Sequence, residues 1–479
     1  MLFNSYIFLI VFLPLVFAGY HLLLRAQNAL YAKIFLVAAS LYFYGYFKPS
    51  YIVILAISLL LNYLLCQKMW SDPSPLLRKL LLAAGCTMNV GLLVYFKYTG
   101  FILENCNFFL GTSFEKFTIL LPLGISFYTF QQLSFLIDTY SGKNGRINCV
   151  DYSLFVTFFP QLIAGPIVLP GEMLPQFNDS SRQKICWDNM NSGLFLFACG
   201  LVKKCFLADT VAVMADTGFN STTPLNLSEA WLVSLSFSFQ LYFDFSGYCD
   251  MAMGIGKFFN IDLPLNFNSP YKSTDFQSFW RKWHMTLGRF MMTYLYIPLG
   301  GNRKGTIRTL LNLFIVFIVS GIWHGAGWLF LLWGGLHGLC ILLHRAWRHF
   351  CDKYHSSWKL PKIPAIIITF LLVNLFWIFF RATTLKRAWE IICSMGDLSN
   401  AAWLTKSFRK TMENYGFETE FFLAVFVGAA LIAFLLPNSS EMESTLKTRP
   451  RLRMALTLLF LITGFLYVGR ISPFLYFNF

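Results

Sequence analysis

Long apolar runs, separated by short polar segments, repeat along almost the whole chain. Most runs are close to the ~20 residues that an α-helix needs to cross a bilayer. The pattern predicts an all-α, polytopic integral membrane protein with about 11–13 transmembrane or re-entrant helices. The runs lie near residues 6–24, 30–48, 51–67, 80–98, 117–137, 190–215, 228–256, 307–323, 328–344, 363–380, 420–437 and 453–472.

One further apolar stretch, residues 152–170, is interrupted by Pro160, Gly165 and Pro166. Proline and glycine leave backbone polar groups outside regular helical pairing, which lipid cannot satisfy. Such backbone is tolerated at membrane depth only where protein or water covers it. We therefore predict a re-entrant or buried segment here rather than a regular span.

Composition supports the membrane assignment. Of the 479 residues, 56% are hydrophobic and only 13% are charged, whereas about 25% are charged in a typical soluble domain. A single membrane-embedded domain over residues 1–479 is favoured over the two or three soluble domains that length alone would suggest.

The chain has a net charge of +15, and its basic residues are distributed unevenly along the sequence. Residues 257–308 contain eight Lys or Arg against two Asp, and residues 217–227 carry no charge. Because basic loops stay in the cytoplasm, this bias predicts an extracytoplasmic N-terminus and a cytoplasmic 257–308 segment. The mixed charge of residues 381–420 leaves their side open. The sequence contains no soluble basic domain, so nucleic acid is not expected as a partner.

The eleven cysteines are scattered and form no CxxC pair. Several lie in or beside apolar runs, where free cysteine behaves as a small hydrophobic residue. The spacing predicts neither a disulfide framework nor a zinc site, and no metal site is expected.

His324 stands out because it lies between two apolar runs, inside residues 320–328 (SGIWHGAGW). An ionisable side chain at membrane depth costs roughly 2.5–3.5 kcal/mol, so it needs a partner, a cavity or a task. A neutral imidazole satisfied by a neighbouring helix is the structural alternative. A second histidine, His284, lies forty residues upstream in its own polar motif and favours a functional role.

Several sequence blocks occur in a fixed order. They are residues 122–131 (PLGISFYTFQ), 158–166 (FFPQLIAGP), 240–250 (QLYFDFSGYCD) with 265–271 (LNFNSPY), 279–287 (FWRKWHMTL) with 294–303 (YLYIPLGGNR), and 320–328 with 333–338 (WGGLHG). Together they closely resemble the membrane-bound O-acyltransferase (MBOAT) family, in particular its bacterial alginate O-acetyltransferase branch. The resemblance runs from residue 1 to about residue 345 and continues loosely to the end.

The resemblance implies a ring of helices around a central funnel and tunnel, with a catalytic core at about 117–345. It places the family's invariant histidine at His324 and its second polar catalytic position at His284. Five more residues are predicted to line the donor or acceptor route: Trp283, Arg281, Asp244, Trp323 and Asn302. For Asp244 the alternative is a structural role, and for Arg281 it is a place in a solvated basic loop.

The same residues suit acyl transfer on chemical grounds. Moving an acyl group from a thioester to a hydroxyl requires a base for the hydroxyl proton, and imidazole titrates near neutral pH. A shielded His324 suits that base, since exclusion of water limits thioester hydrolysis. His284 could donate a hydrogen bond to the thioester carbonyl or orient the donor; a structural interfacial histidine is the alternative. His337, four residues after Trp333, is expected to pack structurally.

The leading hypothesis is an O-acetyltransferase of the bacterial inner membrane that uses acetyl-CoA or another acyl thioester from the cytoplasm. No tightly bound cofactor is expected. The expected acceptor is an alginate-like or other cell-surface polysaccharide, reached with extracytoplasmic acetyltransferase partner proteins. A D-alanyl transferase of teichoic acid with a carrier-protein donor is the alternative within the family. A non-catalytic channel or transporter is the alternative of another class, although no internal repeat supports it.

Overall fold

The computed structural model describes residues 1–115, 119–354, 360–416, 418–469 and 474–475. Within these ranges the regular elements are helices, so the predicted all-α class is confirmed. They are α1 (Leu13–Arg25), α2 (Ala29–Gly45), α3 (Ser50–Ser71), α4 (Pro75–Leu93), α5 (Thr99–Leu110), α6 (Ile125–Tyr140), α7 (Cys149–Thr157), α8 (Phe159–Leu162), α9 (Pro170–Asn178), α10 (Trp187–Leu201), α11 (Asp209–Phe219), α12 (Leu227–Phe258), α13 (Phe276–Trp280), α14 (Met285–Met291), α15 (Thr306–His324), α16 (Trp328–Lys353), α17 (Lys362–Arg381), α18 (Leu385–Gly396), α19 (Lys406–Asn414), α20 (Thr419–Phe434), α21 (Ser439–Leu446) and α22 (Pro450–Tyr467).

Short π-helical and 3₁₀ segments continue or connect these helices. The π-helical segments are Phe8–Phe12, Val94–Tyr98, Val202–Ala208 and Met292–Tyr296, and the 3₁₀ segments are Ser180–Gln183, Pro270–Lys272 and Leu398–Asn400.

Within the described ranges, seven helical segments are long and apolar enough to cross a membrane, or eight if one bent pair counts as a span. The polytopic membrane class is confirmed, while the number is smaller than the predicted total, which included re-entrant helices. Helix α2 has 17 residues and α12 carries Glu229, Asp244 and Asp250 inside its apolar sequence. The seven segments are Phe8–Arg25, Ser50–Ser71, Pro75–Leu110, Thr306–His324, Trp328–Lys353, Lys362–Arg381 and Pro450–Tyr467.

Two predicted runs are interrupted by turns. In the 117–137 run, α6 begins at Ile125 after Gly124 (φ 71°), and residues 117 and 118 lie outside the described part. The 152–170 stretch forms α7, the single turn α8 and then a non-helical stretch before α9 begins at Pro170. Its side chains are almost all buried, and the Gln161 amide donates to the Phe155 carbonyl at 2.7 Å. The prediction of an interrupted, buried segment therefore holds.

The chain divides into two compact units, Met1–Phe197 with Tyr248–Leu265, and Ala198–Gly247 with Asn266–Phe479. In the first unit, a buried amide network joins α3, α4 and α6. Asn62 donates to Gln132 Oε1 at 3.0 Å, and Asn89 donates to Asn62 Oδ1 at 2.7 Å. Hydrogen bonding of this kind removes the cost of burying amides in an apolar environment.

In the second unit, α15 and α16 form a hairpin that is closely packed at two glycines. A Cβ added to Gly334 would lie 2.5 Å from the Phe317 carbonyl oxygen and 3.2 Å from the Gly321 Cα. Only residues without a side chain allow helices to approach this closely. Helix α17 is held to α12 by Asn374, which accepts from Ser238 Oγ at 2.7 Å and donates to Ser234 Oγ at 2.8 Å.

Candidate active site

His324 is the last residue of α15 and is buried, with 3% of its surface exposed. It lies three residues after Gly321, so the close helix crossing sets its position. Its ring packs edge-to-face on Trp333 of α16 at 5.1 Å between centroids and on Phe380 of α17 at 5.3 Å. The neighbouring Trp323 ring lies at 4.9 Å. Three helices therefore build an aromatic pocket around this imidazole.

His284 lies between the two short helices α13 and α14 and is 1% exposed. It precedes the first residue of α14 with left-handed backbone angles (φ 45°, ψ 51°). For a residue other than glycine this conformation costs on the order of 1–3 kcal/mol, and strain of this kind is found at functional sites. The ring stands edge-to-face against Phe245 of α12 at 4.8 Å. Its Nδ1 lies 3.0 Å from Oδ1 of Asn266.

The structure brings the two predicted histidines together. Their ring centroids are 6.4 Å apart, and the Trp323 ring lies 6.1 Å from His284. Side chains forty residues apart in sequence thus form one buried pair lined by aromatic rings. This pair supplies two nitrogen-based acid–base groups in a place from which bulk water is excluded, which suits proton transfer coupled to acyl transfer.

Burial changes the protonation of His284, which lies outside the membrane-spanning segments. Desolvation disfavours the charged imidazolium and lowers the pKa of His284 to about 3. The ring is therefore neutral at physiological pH, with one nitrogen donating and the other accepting.

The other predicted route residues divide into two groups. Trp283 is buried and packs on Trp377 at 5.0 Å, in the aromatic layer next to His284. Arg281 and Asn302 lie on exposed turns, the first between α13 and α14 and the second just before α15. Trp323 and Trp283 therefore contact the histidine pair or its aromatic surround, while the other two side chains face outward.

Asp244 is buried in α12, where its carboxylate forms an ion pair. Its Oδ1 lies 2.6 Å from Nζ of Lys204, which also binds Asp209 at 2.8 Å. Its Oδ2 accepts the backbone N–H of Leu475 at 2.9 Å. Two carboxylates thus flank one buried ammonium group, the arrangement that keeps charge tolerable in an apolar interior. This geometry favours the structural alternative for Asp244.

His337 lies behind the pair, buried among aromatic rings as predicted. Trp280 donates through Nε1 to His337 Nδ1 at 3.2 Å, and the Trp333 ring lies 4.9 Å from His337. The Trp333 ring therefore contacts both His337 and His324. Among the described residues, no group of three or more His, Cys, Asp or Glu side chains is arranged to hold a metal ion.

Sequence reasoning did not single out Asn266, Phe245 or Phe380, although all three contact the histidine pair. Asn266 and Phe245 lie inside the quoted blocks 265–271 and 240–250, but no spacing rule connects them to His284. Phe380 ends an apolar run that looks like an ordinary span. The sequence holds no local signal for these contacts, because each of them joins residues that are at least eighteen positions apart and is formed only in the folded protein.

A family-wide sequence profile described as "MBOAT, membrane-bound O-acyltransferase family" matches residues 143–385. A peptidoglycan O-acetyltransferase of Helicobacter pylori is 43% identical over 100% of this chain and 98% of that protein. A probable alginate O-acetylase of Pseudomonas putida is 38% identical, covering 83% of this chain and 81% of that protein. A teichoic acid D-alanyltransferase of Streptococcus thermophilus is 24% identical, covering 47% of this chain and 57% of that protein.

Proposed function

The chain belongs to the membrane-bound O-acyltransferase family and is a multi-pass membrane acyltransferase; from that premise we propose that it transfers acetyl groups to a cell-wall glycan. The donor would be acetyl-CoA or another acyl thioester on the cytoplasmic side. The full-length similarity to a protein named peptidoglycan O-acetyltransferase supports peptidoglycan as the acceptor. The resemblance to alginate O-acetylases makes an alginate-like polysaccharide the second candidate.

The observation that carries the chemistry is the buried pair of His284 and His324, with centroids 6.4 Å apart. In the proposed step, the acceptor hydroxyl oxygen attacks the thioester carbonyl carbon, a C–O bond forms, and the C–S bond breaks. His324 takes the hydroxyl proton, which then goes to the leaving thiolate. The aromatic pocket formed by Trp323, Trp333 and Phe380 excludes water from the thioester.

The cellular arrangement is part of the proposal. The positive-inside bias supports an inner-membrane protein with its N-terminus outside and residues 257–308 in the cytoplasm. Acetyl groups would leave the cytoplasmic donor and reach the glycan on the outer side, with extracytoplasmic acetyltransferase proteins completing modification. Arg281, exposed on the predicted cytoplasmic segment, would attract the anionic donor.

Two alternatives are weaker. A D-alanyl transferase is disfavoured because the similarity to the teichoic acid enzymes covers about half of the chain, at 24–25% identity. Membership of an acyltransferase family favours an enzyme over a channel or transporter.

The deciding experiment measures O-acetyl groups on the purified cell-wall glycan of a deletion strain. The strain carries wild type, His324→Ala, or His349→Ala, at matched membrane abundance. His349 is the matched control, because it is exposed near the end of α16. Wild type and His349→Ala should restore acetate, and His324→Ala should not. Full restoration by His324→Ala would refute its role, and acetate that does not change on deletion would refute the proposed acceptor or acyl group.

A further inference from the structure

Asn266 links the polar block at 265–271 to the second histidine. Its side chain is fully buried, and its Oδ1 lies within hydrogen-bond distance of three donors. They are Nδ1 of His284 at 3.0 Å, the Thr286 hydroxyl at 2.8 Å and the Thr286 backbone N–H at 3.2 Å. The Asn266 backbone carbonyl also accepts from Met285 N at 2.9 Å. This one residue therefore holds the strained turn in which His284 sits.

These contacts determine which nitrogen of His284 carries the proton. A backbone N–H can only donate, so the Asn266 atom that faces Thr286 N must be the amide oxygen rather than the nitrogen. An amide oxygen can only accept, so the Nδ1 atom of His284 must be the protonated one. In the neutral ring, Nε2 is then a hydrogen-bond acceptor.

This proton position decides between the roles that the sequence left open for His284. A neutral ring with Nδ1–H cannot donate through Nε2 to a thioester carbonyl. It can accept from an O–H or N–H group of a substrate. The acceptor hydroxyl is one such group, and the amide N–H beside the thioester of a CoA-type donor is the other.

We propose that Asn266 is a positioning residue for acyl transfer, which holds His284 with its proton on Nδ1 so that Nε2 accepts a hydrogen bond from a substrate O–H or N–H group. This inference rests on the proposed function. It adds a residue that acts through His284 and reverses the direction of the hydrogen bond expected between His284 and the substrates.

Several aromatic rings of the described residues surround His284, and charged groups lie near it along the chain. The recorded ring contacts of His284 come from Phe245, Phe267, Trp323 and His324. His324 is the titratable group among them. Asp244, next to Phe245, is bound to Lys204 and to the Leu475 amide. Of the two basic residues shortly before His284, Lys282 is partly exposed and Arg281 is exposed. Because Oδ1 of Asn266 lies 3.0 Å from Nδ1 of His284, a new charge at position 266 would act on His284 directly.

The test replaces the amide by a carboxylate. Asn266→Asp keeps an acceptor for all three donors and adds a negative charge next to Nδ1, which stabilises the imidazolium and raises its pKa. Asn268→Asp is the matched control, since this neighbouring amide binds Asn438 at 2.9 Å instead of a histidine. Full-length variants are assayed in inside-out membrane vesicles for His324-dependent thiol release from acetyl-CoA between pH 4.5 and 9.

The expected result is an acid limb of kcat/KM that moves in Asn266→Asp from near pH 3, the pKa of His284 in the wild-type protein, up into the assayed range, with near-wild-type activity at high pH. That displacement is a tenfold or greater loss at the foot of the limb. Asn268→Asp should follow wild type. A rise in KM for acetyl-CoA on acidification would identify the donor amide as the bound group, and a fall in kcat alone would identify the acceptor hydroxyl.

Two outcomes would overturn the inference while leaving the proposed function intact. One is an Asn266→Asp profile that coincides with wild type, and the other is a folded Asn266→Asp protein that is inactive at every pH. Asn266→Ala adds a second readout, because a positioning role predicts a loss that Asn266→Asp rescues at high pH. If wild-type vesicles themselves release no thiol in a His324-dependent way, the proposed function fails instead.

Discussion

We expect a substitution of Gly334 to impair activity, because this residue of α16 packs against α15, and that packing sets the position of His324. The Cβ of Gly334→Ala would lie 2.5 Å from the Phe317 carbonyl oxygen, whereas ordinary contact begins at 3.4 Å. The two backbones must therefore separate by about 0.9 Å. Overpacking of this kind costs about 1–3 kcal/mol, and a displacement of about 1 Å at a catalytic group can reduce the rate about 100-fold.

The next residue provides the control. A Cβ at Gly335 would meet only the Ile318 side chain, at 3.7 Å. Alanine there is also a better helix former than glycine by about 1 kcal/mol. Gly335→Ala should therefore keep activity and keep or raise the melting temperature in detergent.

Both variants would be assayed for thermal melting and for acetate transfer in the complemented strain. Gly334→Ala should melt several degrees lower and lose most of its activity. If the two alanine variants behave alike in both assays, the close glycine crossing does not position His324, and the reasoning fails.

Two further predictions concern buried ionisable groups. Lys204→Met should lower the unfolding free energy by about 3–5 kcal/mol, since it leaves Asp244 and Asp209 without their shared cation; thermal melting checks this, and a wild-type melting temperature would contradict it. The His284 pKa is lowered to about 3 in the folded protein, against 6.5 unperturbed, so between these pH values the unfolded state binds the proton. Stability should thus fall on acidification below about 6.5, by up to about 1.4 kcal/mol per pH unit, and His284→Gln should lose correspondingly less between pH 7 and 5. Equal losses in both proteins would show that His284 does not titrate as its burial predicts.

Sequence periodicity predicted the fold class because lipid permits few solutions. A segment that crosses a bilayer must satisfy its own backbone, so about twenty apolar residues indicate a helix wherever they occur. Within the described ranges the same rule does not count α12 among the candidate spans, although this helix matches the predicted apolar run at 228–256 and buries Glu229, Asp244 and Asp250. Burial of charge depends on partners such as Lys204, which lie far away in the sequence.

The sequence by itself determined that this is a helical, polytopic membrane protein, and its ordered motifs identified the family and singled out His284 and His324. Those features are local, since they depend on residue type and on spacing within one segment. Only the tertiary structure decided that the two rings lie 6.4 Å apart, that Arg281 and Asn302 face outward, and that Asn266 orients His284. The close packing of α15 on α16 at Gly321 and Gly334 and the turn before α14 set the positions of the two histidine rings. Both depend on contacts between segments, which no pattern along the chain records.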